Sequence, residues 1–462
     1  MPTRTETDSM GPVEIPSDYL YGASTQRAVE NFQVSNRKFN RAFIRALALI
    51  KWAAAKSNGE LGKLDRKVAD AIMEKSLEVS DGKYDQHFIL DIYQTGSGTS
   101  TNMNANEVIA NLAIQKLGGE LGSKKPVHPN DHVNMGQSSN DVIPTAIHVG
   151  AALAITQGLL PALEKLRQVL ETKAKEFEKI IKIGRTHLQD ATPVTLGQEF
   201  AGYASQIRHG IRRIRHCLEW VQELAIGGTA VGTGISTHPK FPGMVCQYLS
   251  EKTGLTFHEA ENHFEAQAAK DATVFASGAL KTLAVSLLKI ANDLRWLSSG
   301  PMCGIHEIHL PELQPGSSIM PGKINPVVPE SVMQLACQVI GNDLTITLGA
   351  QHGNFELNVM MPLITGNLFE SIDILTTGSI MLAEKCLKGI VANEARCAEL
   401  LEKSLALITN LNPVIGYDKA AALAKKAYHE GKTIRELLKQ DKVLPDEQIN
   451  QLLDPKTMLS PK

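Results

Sequence analysis

The chain has 462 residues, 43% of them hydrophobic and only 5% aromatic, with a formal net charge of −2 and a pI near 6.7. That length admits two or three domains, or one elongated helical unit with smaller ends, and a composition rich in Ala and Leu favours helices over a β-sandwich. The near-neutral balance argues against a broad nucleic-acid footprint, while a local basic pocket for a small anion stays open.

Residues 1–40 are polar and turn-rich around Gly22, which predicts a surface-wrapping arm. Its opening, MPTRTETDSMGPVEIP, lacks the apolar core of a secretory signal. From Phe43 to Ala71 the pattern is helical, carried by Trp52, Ala53 to Ala55, Leu61 and Leu64, with Asn58-Gly59 as an interruption. The stretch Gln94 to Glu107, QTGSGTSTNMNANE, has almost no bulky apolar residue. Small hydroxyls and amides at that density suit a loop that contacts an anion and runs into a helix start; an exposed polar turn is the alternative.

His128-Pro129-Asn130-Asp131-His132 comes next, a loose cluster and a poor metal site, followed by Gln137-Ser138-Ser139-Asn140-Asp141. Ser139, Asn140 and Asp141 are all N-cap types, so capping accounts for one of them, and Pro144 then marks entry into a long helix. Leu159, Leu163, Leu166 and Leu170 step by four and three, the stripe of a helix facing helical neighbours. GRTHLQDATPVTLGQE (184–199) interrupts with Gly184 and Pro193, and a helix is predicted from Thr195 to Ala225. GGTAVGTG (227–234) matches neither a dinucleotide fingerprint nor a P-loop and reads as a turn.

A second stripe runs through Leu280, Leu283, Leu287, Ile290, Leu294 and Leu297. Lys281, Lys289 and Asp293 interleave with it, so no segment reads as membrane-spanning. His306 and His309 are three apart, not the four of a zinc-binding His-Glu-x-x-His helix. Further helices are expected at 330–348 and 367–388. Several helices of about thirty residues span about 45 Å, a bundle length, and their surplus apolar surface implies oligomerisation. After Asn393 the helices shorten, with breaks at Asn412-Pro413 and Gly431. The six cysteines (217, 246, 303, 337, 386 and 397) are scattered, as reduced thiols of a cytosol-like compartment are.

The chemistry concentrates in Gly316 to Glu330, GSSIMPGKINPVVPE, where two glycines and three prolines exclude a regular helix or central strand. Between the breakers stand Ser317, Ser318, Lys323, Asn325 and Glu330. A hydroxyl beside a lysine in an amide-rich loop suits removal of a proton from carbon and stabilisation of the resulting anion. His187, outside any apolar stripe, and Glu330 complete an acid–base set. No cofactor motif is present.

GSSIMPGKINP is similar to the signature of the fumarase/aspartase superfamily. SGTSTNMNANE, HPNDHVN, QSSND and GRTHLQDATPVTLGQE resemble the other blocks of class II fumarases, and the likeness runs from YGASTQRAVENF to LNPVIGYDKAAALAKKA. The resemblance implies a predominantly all-α, three-domain fold: a helical domain over 1–137, a long-helix bundle over 138–392 and a small helical domain over 393–462. It implies a homotetramer with a twenty-helix core, each active site drawing on three subunits, and fumarate–malate interconversion without metal or organic cofactor. No nucleic-acid or membrane partner is expected, and a cytoplasmic location is, or the mitochondrial matrix after loss of a presequence.

Carried over residue by residue, Ser317 resembles the base and His187, oriented by Glu330, the group that handles water. Lys323 and Asn325 resemble the carboxylate-binding pair, and Ser97, Gly98, Thr99, Ser138, Ser139, Asn140, Thr186 and Ser318 the remaining substrate contacts. His128, Asn130 and Asp131 resemble an outer anion site, although Lys125-Pro126 stands where the family often has a basic pair. Aspartate ammonia-lyases share this loop but usually carry Gln in place of His187. Hydroxide leaves poorly and benefits from an acid, whereas ammonia departs from an amino group already protonated. A non-catalytic structural member of the superfamily is the third alternative.

Overall fold

Apolar side chains at steps of three and four leave each long helix one face to bury, and the architecture follows from satisfying those faces. The computed structural model describes residues 2–461 and is predominantly helical. Its strands form short two-stranded ribbons.

The chain opens with β1 (Thr3–Asp8) and β2 (Gly11–Pro16), paired antiparallel with Thr3 opposite Pro16. Arg4 donates to the carbonyls of Tyr19 and Tyr21, each at 2.6 Å. Ile15 and Tyr21 are buried. The expected surface arm is therefore a packed hairpin, because Val13 and Ile15 alternate with polar neighbours and give it an inner face. Helix α1 spans Ala23–Asn31.

Helix α2 (Arg41–Glu60), capped by Asn40, runs straight through Asn58-Gly59, and the break falls at 61–65 instead. A Cβ on Gly59 would lie 3.1 Å from Cβ of Ala69, so this glycine serves the close approach of α3 (Arg66–Ser80) and not a turn. Helix α4 covers Thr99–Lys116. Helix α5 (Ser139–Ala154) passes through a π-turn at 155–159 into α6 (Leu160–Glu176). Pro144 sits inside α5, whose cap is Ser138 and none of the three residues expected.

Strands β3 (Ile181–Thr186) and β4 (Gln189–Thr195) form a hairpin where the sequence showed only an interruption. Helix α7 then runs Leu196–Val221, followed by α8 (Phe241–Thr253), α9 (His263–Ala268) and α10 (Asp271–Leu297). Every leucine and isoleucine of the α10 stripe is buried. Helices α11 (Val327–Ala350) and α12 (Met361–Met381) complete the long elements, and shorter helices from α13 (Glu394–Lys403) onward follow.

Two compact units result. One comprises residues 1–161, 210–285 and 335–377; the other 162–209, 286–334 and 378–462. In the first, α2 packs between α3 and α5. In the second, Ile183 of β3 joins Leu401, Leu411, Leu437, Leu438 and Leu453 in a terminal core. By length and composition alone, helical stretches 139–176 and 271–297 could cross a membrane, a correction to the sequence reading. Their most apolar windows are 67% and 50% buried inside the chain, as core helices are.

Candidate active site

The loop ahead of α11 is built around a closed neck. The Gly316 N–H donates to the Lys323 carbonyl at 2.7 Å, and the Asn325 side-chain amide donates to the Gly316 carbonyl at 2.7 Å. A Cβ on Gly316 would stand 2.5 Å from the Lys323 carbonyl oxygen, so glycine is required there. Within the loop, Ser317 Oγ accepts the backbone N–H groups of Ile319 (3.2 Å) and Met320 (3.0 Å). Residues 312–324, Ser318 and Ile319 apart, line a cavity of about 460 Å³ that Ser317 and Lys323 share. Glu330 lies in the first turn of α11.

His187 and Leu188 are the two tip residues of the β3–β4 hairpin, with φ of 57° and 59°. Positive φ at both positions is the signature of a type I′ turn, and neither residue is glycine, so the backbone is held against its preference and His187 projects into solvent. The β3 arm of the hairpin is braced. Arg185 makes a bidentate pair with the fully buried Glu307, at 2.9 and 3.1 Å. Lys182, also buried, bonds Glu199 at 2.7 Å and lies 3.2 Å from Glu307. Among the described residues, no hydrogen bond or ion pair within the chain joins His187, Glu330 and Ser317.

In the other unit, two polar segments far apart in sequence come together. Gly98, the left-handed N-cap of α4 (φ 72°), abuts Ile143 of α5; a Cβ there would be 2.9 Å from Ile143 Cγ1. The N-terminus of α4, with Ser97, Gly98 and Thr99, thus packs against the first turns of α5, the helix that Ser138, Ser139 and Asn140 begin. Ser97 and Thr99 share a hydroxyl bond of 2.7 Å. Ser138 forms a capping box with Asp141. Helix N-termini, their dipoles and neighbouring hydroxyls are suited to holding an anion. The residues after Thr99 do not form an exposed turn: Asn102, Asn104, Asn106 and Glu107 are buried in α4.

Asp141 is fully buried and accepts N–H bonds from Ser138 (2.9 Å), Gly227 (3.0 Å) and Thr229 (2.9 Å). Burial pushes its carboxyl up to about 6 against the pull of those amides and of Lys51. The Gly-rich turn 227–234 therefore supplies backbone donors to a buried carboxylate. Sequence reasoning missed Lys51, Arg185 and Glu307. Lys51 carried one signal, a lone cation in the apolar run LALIKWAAA.

His128 Nδ1 accepts the N–H groups of Asn130 and Asp131, both at 3.2 Å, which leaves the ring proton on Nε2. Burial holds its pKa below the usual imidazole value. It lines a cleft of about 530 Å³ with Arg27, Lys124 and Asn130. Arg27 is already paired with Asp8, at 2.7 and 3.0 Å, and Lys124 bonds the Thr7 carbonyl. Thr186 and Ser318 are exposed on the hairpin and the loop. Among the described residues, no group of three or more His, Cys, Asp or Glu side chains is arranged to hold a metal ion.

A lyase family model matches residues 11–341, and a fumarase C C-terminal model matches residues 407–460. The chain is 53% identical to a class II fumarate hydratase of Nitrosomonas europaea over 98% of both chains. It is 50% identical to the mitochondrial fumarate hydratase of Saccharomyces cerevisiae over 99% of this chain and 94% of that one. A crystal structure of class II fumarase from Schistosoma mansoni superposes with a TM-score of 0.96 at 41% identity, covering 99% of each chain. Helical fold and breaker-rich polar loops are thus those of a lyase with the fumarase/aspartase architecture. Within that class, the chain belongs to the class II fumarate hydratase family.

Proposed function

We propose that this chain catalyses the reversible hydration of fumarate to L-malate, by anti addition and elimination through an aci-carboxylate. The observation that carries the reading is the pair of amides directed at Ser317 Oγ. Two N–H donors on a hydroxyl oxygen favour its alkoxide, which an isolated serine forms with difficulty. In the malate-to-fumarate direction that alkoxide takes the C3 proton, and the electron pair moves into the adjacent carboxylate to give the aci-dianion. Lys323 and Asn325 stabilise the added charge, which is larger in the transition state than in bound malate. The C2–O bond then breaks on the opposite face, and the hydroxyl leaves as water with a proton from His187, which Glu330 orients. Ser97, Gly98, Thr99, Ser138, Ser139, Asn140, Thr186 and Ser318 hold the substrate, the helix N-termini facing a carboxylate.

His187 is exposed, and among the described residues neither its side chain nor that of Glu330 has a hydrogen-bond or ion-pair partner in its own chain. This supports a homotetramer in which neighbouring copies complete each site and the long helices form the twenty-helix core. Trp220 on α7, Phe275 and Val285 on α10, and Leu344 and Leu348 on α11 are exposed apolar side chains such a core would cover. The same reading divides the chain into domains 1–137, 138–392 and 393–462, makes His128, Asn130 and Asp131 an outer anion site, and needs no cofactor. The six free thiols fit a reducing compartment, cytoplasm or mitochondrial matrix.

The test follows fumarate absorbance with the purified chain near neutral pH, supplied first with L-malate and then with L-aspartate. Fumarate from malate supports the proposal. Fumarate from aspartate, or from neither with the oligomer intact, overturns it.

A further inference from the structure

Lys51 stands in the middle of α2 with its side chain entirely buried. An ammonium in that position carries a large desolvation cost, and an unbranched apolar side chain would fill the same space more cheaply. Its bonds show what the charge is used for. Nζ donates to Asn134 Oδ1 and to Gln137 Oε1, both at 2.9 Å. Asn134 Oδ1 also accepts from the side-chain amides of Asn102 and Asn106 on α4, at 3.2 Å each, while the Asn134 amide donates to the Gln137 carbonyl at 3.1 Å. A single carbonyl oxygen therefore gathers α2, α4 and the turn 134–137. That turn leads directly into Ser138, the cap of α5, which Asp141 secures from the other side.

We infer that Lys51 is a positioning residue for the substrate segment Ser138–Asn140. Its ammonium fixes the turn before the α5 cap, and so fixes where the hydroxyls and free N–H groups of α5 meet a substrate carboxylate. The inference rests on the proposed hydratase reading and adds to it a residue that touches no substrate. The groups facing Nζ from α4 and the turn are the neutral amides of Asn102, Asn106, Asn134 and Gln137, and the charge acting on it is Asp141. Burial draws the Lys51 pKa down to about 7, with Asp141 opposing the shift. The ammonium is thus present at lower pH and is lost as pH rises through neutrality, which loosens the clamp.

The experiment measures kcat and KM for fumarate from pH 6 to 9 in the wild-type chain and in Lys51→Met. With the segment displaced, substrate binding weakens in ground state and transition state alike, so KM at pH 6 rises roughly tenfold or more while kcat stays within about threefold. Wild-type KM climbs with pH above about 7, and the variant lacks that climb. A merely structural role gives fewer folded sites: lower kcat at unchanged KM, which overturns the inference, as does an unchanged variant. Should Lys51→Met not fold, Asn134→Asp leaves α2 intact and sets a carboxylate against the ammonium. The climb in KM then moves to higher pH, and an unmoved profile overturns the inference. A wild-type chain that does not hydrate fumarate sinks the functional reading itself, a result distinct from an active wild type with an indifferent Lys51 variant.

Discussion

Ser317, His187 and His128 are three polar side chains with unequal surroundings, and their surroundings rank them. Ser317 Oγ receives two amides in a loop that also carries Lys323. Its replacement by Ala is expected to lower kcat by about a thousandfold, with KM little changed, because the lost group acts on the proton in flight. His187→Asn is expected to cut turnover severely as well. His128 uses Nδ1 to cap its own turn and faces cations already paired elsewhere, so His128→Asn should leave turnover nearly intact. Initial-rate measurements on the three variants check this, and equal losses would show that His128 belongs to the catalytic machinery. A third histidine, His148, governs stability instead. Burial lowers the His148 pKa to about 4, although Nδ1 bonds the Glu223 carbonyl. The unfolded chain, with an ordinary imidazole near 6.5, binds the extra proton between those values, so this contribution is full above about 6.5 and is lost progressively as pH falls toward 4. In His148→Gln the melting temperature should therefore fall less between pH 7 and 4.5 than in the wild type.

At the scale of elements, glycine and proline do different work in different loops. At 316–325 the neck closes because Gly316 has no Cβ to strike the Lys323 carbonyl. Gly316→Ala must open that neck and displace Ser317 relative to Lys323. A shift of about an ångström is worth roughly a hundredfold in rate, and this loop is partly exposed, so kcat should drop by that order with the melting temperature nearly unchanged. A parallel fall in both would mean that the loop is part of the folding core. The β3–β4 hairpin follows another logic, since its tip residues are a histidine and a leucine in the left-handed region. The Arg185–Glu307 and Lys182–Glu307 pairs hold the β3 arm that leads into this turn. His187 thus follows directly on a strand anchored by buried charges.

For the molecule as a whole, the long helices bury one stripe and leave another apolar row in solvent. Leu344 is 60% exposed and Leu348 50% exposed on the same helix, one turn apart. Leu344→Glu is expected to give smaller, inactive species by sedimentation while far-UV circular dichroism stays helical, because the substitution leaves the chain's own core alone. Retention of the wild-type sedimentation coefficient together with activity would remove α11 from any interface. The proposed tetramer also accounts for Ser317, His187 and Glu330 being joined by no hydrogen bond or ion pair within one chain among the described residues.

Much of this was legible in the residues. The leucine stripes encode helices because period and burial are local properties of one segment, and every stripe position named on α10 is buried. The glycines and prolines at 316–326 encode a loop because those residues restrict their own backbone, but the expected loop ended too late: Val327 to Glu330 already form the first turn of α11, where Pro329 lacks no needed N–H. Tertiary structure decided the rest. Whether Asn58-Gly59 breaks a helix depends on Ala69 across the way, and whether Asn102, Asn104 and Asn106 meet solvent depends on what packs over α4. Lys51, Asp141 and Glu307 act through partners that lie 83, 86 and 122 positions away in the chain. Local pattern cannot specify such pairings, since their energies exist only once the chain has closed around them and removed the water.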